Sequence, residues 1–200
     1  MLINIILFLL LNSPAPDTVL RISYTIQEQS SLTLSGSSNV NKFECTTYNN
    51  FTNGNIYIQS DKKGRSVNFT NALLHIDVKS FDCQNPLLNR DLYHTLNAKK
   101  SPYIDVELHQ ALPISESKLL KAYSGKFKAD VTITLNGISK ADHIIVLWHK
   151  VGPDLYRFTG TKELFMSDFG IKKPVTALGL IRVDDDIKID FDLFIKSVPR

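Results

Sequence analysis

The sequence predicts an all-β fold: at least eight antiparallel strands, packed as a sandwich or closed into a barrel, with one short amphipathic helix. Three observations carry this. Most segments alternate apolar and polar residues with period two, the pattern of a strand with one dry face and one wet face. Turn dipeptides such as Asn136-Gly137 separate those segments. One stretch alone, beginning at Asn85-Pro86, changes to a period near four.

Taken in order, the chain opens on an unpatterned apolar run, Ile5 to Leu11, ending near Ser13-Pro14-Ala15. That has the length of a signal-peptide core and is too short for a membrane-spanning helix, although no Lys or Arg precedes it. We expect residues 1–16 to direct export and 17–200 to form one domain; the competing reading is a buried first strand or helix. No cysteine adjoins the cleavage region, so a lipid-anchored lipoprotein is not supported.

Leu20, Ile22, Tyr24 and Ile26 then alternate with polar residues, and Leu32 and Leu34 continue the pattern. Gly36 to Asn39 reads as a turn, Phe43 to Tyr48 as a strand, and Asn53-Gly54 as a hairpin dipeptide. Ile56 and Ile58, Val67 and Phe69, and Leu74, Ile76 and Val78 supply further strands. Asn85 then reads as an N-cap with proline at the first helical position, and Leu88, Leu92 and Leu96 recur on one face. This helix needs an apolar surface, and one opening of a barrel is the simplest.

Ile104, Val106 and Leu108 resume the alternation. The clearest strand follows, with Phe127, Ala129, Val131, Ile133 and Leu135 on its dry face and Lys126, Lys128, Asp130, Thr132 and Thr134 on its wet face. Beyond Asn136-Gly137 a strand runs from about Ala141 to Val151, and another between Leu155 and Met166. Ser167 to Pro174 reads as a loop or single helical turn. Leu178 to Val183 and Ile187 to Ile195 form a last hairpin around an Asp184–Asp186 turn.

Chemistry is harder to find. The 23 basic and 20 acidic residues leave a net charge of +3, with Lys and Arg scattered on alternating strand positions. A nucleic-acid binder needs a clustered basic footprint, so nucleic acid is not an expected partner. His75, His94, His109, His143 and His149 stand apart without ligand spacing, and glycine-rich phosphate loops are absent. No metal, cofactor or catalytic residue is expected. Arg90 and Asp91 read as a structural pair fixing the helix against the sheet. Cys45 and Cys83 would form a disulfide in an exported protein, closing a loop of roughly forty residues worth ~4 kcal/mol. In the cytosol they would be buried thiols.

Three stretches occur in order: NRDLYHTL from Asn89 to Leu96, TITLNGISK from Thr132 to Lys140, and SDFGI from Ser167 to Ile171. With the strands between them they resemble the YceI-like family of lipocalin-like barrels, over nearly the whole chain after the leader. The family's helical histidine follows its Arg-Asp by two residues; here His94 follows Asp91 by three. GSSNVNKFEC (Gly36 to Cys45) with Cys83 looks like a disulfide-bearing variant. The resemblance implies an antiparallel eight-stranded barrel, periplasmic or secreted, holding an isoprenoid or other amphiphilic lipid without catalysis. We also expect such a carrier to contact a membrane transiently. The dry faces then nominate Phe127, Val131, Ile133, Trp148, Phe158, Phe191 and Leu193 as lining, and Asp168 and Phe169 as a barrel mouth. The rival reading is a solid core, in a structural or interaction module without ligand.

Overall fold

The structure, a computed structural model, describes residues 19–48, 51–61, 65–114, 123–176 and 180–198; the expected export segment, 1–16, lies outside them. The strands are β1 (Leu20–Ile26), β2 (Ser31–Ser38), β3 (Lys42–Tyr48), β4 (Gly54–Ser60), β5 (Val67–Thr70), β6 (Leu73–Asp77), β7 (Tyr103–Pro113), β8 (Ser124–Leu135), β9 (Ile138–Lys150), β10 (Leu155–Phe165), β11 (Val175–Thr176) and β12 (Ile181–Val198). Helix α1 (Pro86–Thr95) lies between β6 and β7. All pairings are antiparallel. The ladder runs β1-β4-β5-β7-β8-β9-β10-β12 and returns to β1 through Ser23↔Val198 to Ile26↔Ile195. The sheet is therefore a closed barrel of eight strands.

Several elements are halves of longer strands. β1 and β2 lie end to end along β12, β3 and β4 along β2 and β1, and β5 and β6 along β7. Read this way the chain is an up-and-down meander, the arrangement that short turns and period-two patterning favour. The break between β1 and β2 is held by Ser30, which is fully buried. Its hydroxyl accepts from Phe194 N at 2.9 Å, replacing a ladder bond that the break removes.

Three expected turns need correction. Gly36 to Asn39 is not a turn: β2 continues to Ser38, because Gly36 leaves room for the Phe43 ring on its partner strand. Asn53-Gly54 is not a hairpin: Asn53 Oδ1 accepts from Ile26 N at 2.9 Å, and Gly54 opens β4 beside Tyr24. Asp184–Asp186 is not a turn between two strands. β12 is continuous, and a register shift between Val183 and Ile187 absorbs the acidic run. There Asp184 accepts from Ser37 Oγ at 2.7 Å and Asp185 from Ser167 N at 3.0 Å.

One wall is incomplete. β3 and β6 share no ladder, and the segment after β6 fills the space between them. Thr46 and Asp82 exchange two backbone hydrogen bonds at 2.9 Å, and Cys45 is disulfide-bonded to Cys83. Asn85 caps α1 by accepting from Leu87 N at 2.9 Å, and Asn97 ends the segment with φ 56°. The leucine stripe docks by its C-terminal half only: Leu96 is 2 % exposed, Leu92 half-buried, and Leu88 40 % exposed. Arg90 and Asp91 meet at 3.5 Å on the solvent side, so they do not fix the helix. Tyr93 does: its hydroxyl donates to Phe81 O at 2.8 Å. Asn89 adds a bond from Cys83 N at 2.7 Å.

Candidate functional site

Cross-strand register decides which side chains face inward, since residues directly opposite share a face. Phe127 opposes Val146, Phe158 opposes both Trp148 and Leu193, Gly160 opposes Phe191, and Val106 opposes Ile133. Phe127, Val131, Ile133, Trp148 and Leu193 are buried, while Phe158 and Phe191 are half-buried. All seven dry-face residues nominated from the sequence thus point to the inside of one ring.

Burial is not uniform along the barrel axis. The least exposed large side chains, Phe81, Phe169, Ile76, Leu96 and Val78, gather at the end carrying α1. Met166 and Ile171 join them there, so this end is solid. Farther up, inward-facing Ile22, Tyr24, Ile56, Phe158 and Ile195 are only half-buried and Leu20 at the opposite rim is 50 % exposed, while Ile58, Val67, Ala111, Phe127 and Trp148 on the other side of that half stay buried. Burial pushes the Tyr24 phenol pKa up.

Four inward aromatics lie against a glycine on the neighbouring strand: Tyr24 on Gly54, Phe43 on Gly36, Trp148 on Gly125 and Phe191 on Gly160. A Cβ at Gly160 would sit 2.6 Å from the Phe191 ring, and one at Gly125 2.7 Å from Trp148 Nε1. The glycines are notches in which the rings lie along the wall. Inward ring contacts among the described residues also stay within one wall. Phe127 meets Phe158 edge-on at 6.5 Å between centroids, and Trp148 tilts toward Tyr156 at 6.3 Å. Trp148 Nε1 is buried and has no hydrogen-bond partner among the described residues. Sequence reasoning had Trp148 and Phe191 but missed their glycines, because only register brings the two together.

The β9–β10 ladder runs from Tyr156↔Lys150 to Gly160↔Val146 and stops. Beyond it side chains bridge the two strands. Lys162 Nζ lies 2.6 Å from Asp142 Oδ1 and donates to His143 O at 3.2 Å; their side chains are 19 % and 28 % exposed. Burial pushes the Asp142 carboxyl up, but the Lys162 ammonium and the His143 N–H outweigh it and hold the pKa below the usual carboxylate value. A carboxyl depressed on folding stabilises the native state above its unfolded pKa, and that contribution disappears as pH falls through the folded pKa. Asp142→Asn is therefore expected to cost about 2 kcal/mol at pH 7. The gap to wild type should narrow in denaturant titrations below the ordinary carboxyl range. A constant gap down to acid pH would contradict this assignment.

Asp168 accepts from Lys140 Nζ at 2.8 Å, and Phe169 is 2 % exposed in the solid end. Of the histidines on wet strand positions, His75 bonds Asp105 and stacks on Tyr103 at 3.9 Å, and His109 bonds Thr132 at 2.8 Å. Among the described residues no three His, Cys, Asp or Glu side chains assemble as a metal site, and no helix is long and apolar enough to cross a membrane.

Similar folds are known. The crystal structure of Burkholderia cenocepacia BcnA superposes with a TM-score of 0.62 at 16% identity, covering 85% of this chain and 99% of that one. A polyisoprenoid binding domain from Saccharophagus degradans, implicated in plant cell wall breakdown, gives 0.59 at 12% identity, covering 88% and 99%. A mutant Campylobacter jejuni YceI protein gives 0.53 at 16% identity, covering 94% and 88%. No curated protein matches the chain. The sequence model of the YceI-like domain matches residues 24–195, and the chain belongs to the YceI-like family.

Proposed function

We propose that the barrel binds and carries a long-chain isoprenoid or other amphiphilic lipid, with no chemistry of its own. The observation that carries this reading is the set of aromatic rings laid along the wall on glycine notches. A solid core would send those rings across the centre to meet one another; rings laid along the wall would leave room for a chain along the axis. Phe127, Val131, Ile133, Trp148, Phe158, Phe191 and Leu193 would line the alkyl chain. Each methylene taken from water contributes about 0.8 kcal/mol, so a few isoprene units drive binding without directed polar contacts. Family membership and the description of the Saccharophagus neighbour as polyisoprenoid-binding support the ligand class. The Cys45–Cys83 disulfide supports a periplasmic or secreted location.

The rival, a solid barrel without ligand, draws on the close packing around Phe81 and Phe169. Organic extraction of protein from its own cells, followed by mass spectrometry, separates the two: the carrier yields a stoichiometric long-chain lipid and the solid module yields none. Gly125→Ala sharpens the test. Its Cβ meets the Nε1 edge of the Trp148 indole and should tilt that ring toward the axis. We expect the extracted lipid per protein to fall severalfold, with overpacking costing ~1–3 kcal/mol. A folded Gly125→Ala protein with a full lipid load would refute the wall arrangement as the feature that makes room.

A further inference from the structure

The barrel has a closely packed end at α1 and an opposite rim where inward side chains of β1 and β12 become more accessible, and the second bears an unusual surface. Ile114 at the end of β7, Tyr123 before β8, Val151 after β9, Val198 at the end of β12 and Leu20 at the start of β1 are 52 %, 80 %, 47 %, 45 % and 50 % exposed. They form a continuous arc. Ile114 N donates to Lys126 O at 3.0 Å, Lys150 N to Tyr123 O at 2.7 Å, and Ser197 N to Asp154 O at 2.8 Å. Ser23 of β1 pairs with Val198.

The charges along this arc have one predominant sign. Among the described residues, Arg21, Lys126, Lys150 and Lys196 are exposed there, with Asp154 the acid among them. Exposed apolar side chains also occur at the helix end, including Leu87, Leu88 and Leu180. There Asp77, Asp82, Asp91, Asp168 and Asp184–Asp186 are interspersed with Lys79, Arg90, Lys99, Lys100, Lys140, Lys172, Lys173 and Arg182, so acids and bases nearly balance and no predominantly basic arc forms. Half-exposed apolar groups interleaved with bases are the composition of a surface that dips into an anionic lipid headgroup layer. Leu20 ties the rim to the interior, since it opposes Ile58, which is 5 % exposed on the inner face.

We propose that this rim docks on an anionic bilayer surface, with the barrel axis turned toward the membrane, so that a lipid passes between bilayer and barrel without crossing water. The proposal rests on the lipid-carrier reading and names the partner that loads or receives the lipid. Docking is reversible, because the contact is a shallow arc and not a spanning element.

Flotation of the full chain with vesicles tests it, using phosphatidylcholine alone or with 30 % phosphatidylglycerol (about one anionic lipid in three, to set the surface potential). The apolar stretch Ile5–Leu11 would bind vesicles wherever it is retained, so differences between variants of the same chain are the readout. Wild type should float with the anionic vesicles and lose binding in high salt. Lys126→Glu, Lys150→Glu and Lys196→Glu should each weaken it about fivefold or more. Val151→Asp should weaken it with both vesicle types, whereas Leu87→Asp at the helix end should leave it unchanged. Equal binding by wild type and all rim variants overturns the proposal, as does equal loss from Leu87→Asp. If the rim variants fail to float yet still yield extractable lipid when purified from cells, docking holds as a step separate from storage. If no chain yields lipid, the carrier reading fails, whatever the vesicles show.

Discussion

Phe169→Ala is expected to destabilise the protein by about 3–5 kcal/mol, the usual cost of deleting a fully buried phenylalanine ring. The ring is 2 % exposed and belongs to the cluster with Phe81, Leu96, Met166 and Ile171. Its backbone is held as well. Asn136 Nδ2 donates to Phe169 O at 3.0 Å, and Asn136 Oδ1 accepts from Asn97 Nδ2 at 2.9 Å. The residue after α1, the β8–β9 turn and the loop after β10 are thereby joined at one point. With those anchors in place the site cannot collapse around the missing ring, so a cavity term adds to the lost transfer energy. For a chain of this size the melting temperature should fall by about 10 °C. Phe169→Leu should cost less than half as much. Chemical denaturation with both variants decides it: a shift under 1 kcal/mol for alanine, set against the ~3–5 expected, would mean that this end is loosely packed.

Removing the Cys45–Cys83 disulfide should cost about 4 kcal/mol on the chain-entropy account. The crosslink spans 38 residues and joins β3 to the segment that stands in for a missing strand pairing. Without it, the two Thr46–Asp82 backbone bonds and the Thr47–Ser80 hydroxyl contact at 2.6 Å must hold that side of the barrel unaided. A Cys45→Ala, Cys83→Ala protein should therefore unfold at lower denaturant concentration than the oxidised chain. Hydrogen exchange should locate the loosening in residues 78–96 and in β3, not in the β8–β9 hairpin. If full reduction, verified by thiol labelling, leaves the midpoint unchanged, the crosslink is not what holds the gap closed. The solid end thus depends on two independent devices, one a packed ring and the other a covalent tie, and both lie far from the proposed docking rim.

Strand-scale features were legible in the residues themselves because they are local. The alternation of Phe127, Ala129, Val131, Ile133 and Leu135 reappears as one buried face. Asn136-Gly137 forms the predicted turn with positive φ at both residues, and Asn85 caps α1 as its side chain dictates. The same local logic failed at Asp184–Asp186, where charge density suggested a turn and a bulge within one strand accommodated it. It failed again at Asn53-Gly54, whose neighbours pair with β1 and not with each other.

By itself the sequence determined the class of structure, the dry faces, the helix and the two cysteines, all of which follow from period, turn chemistry and composition. The tertiary structure alone decided that β12 closes on β1, that β3 and β6 leave a gap for the disulfide to span, and that four glycines sit opposite four inward aromatics. The reason is physical: period two says which side chains share a face, but only register across strands says which residue stands opposite which. A one-residue slip would have kept every pattern and lost every notch.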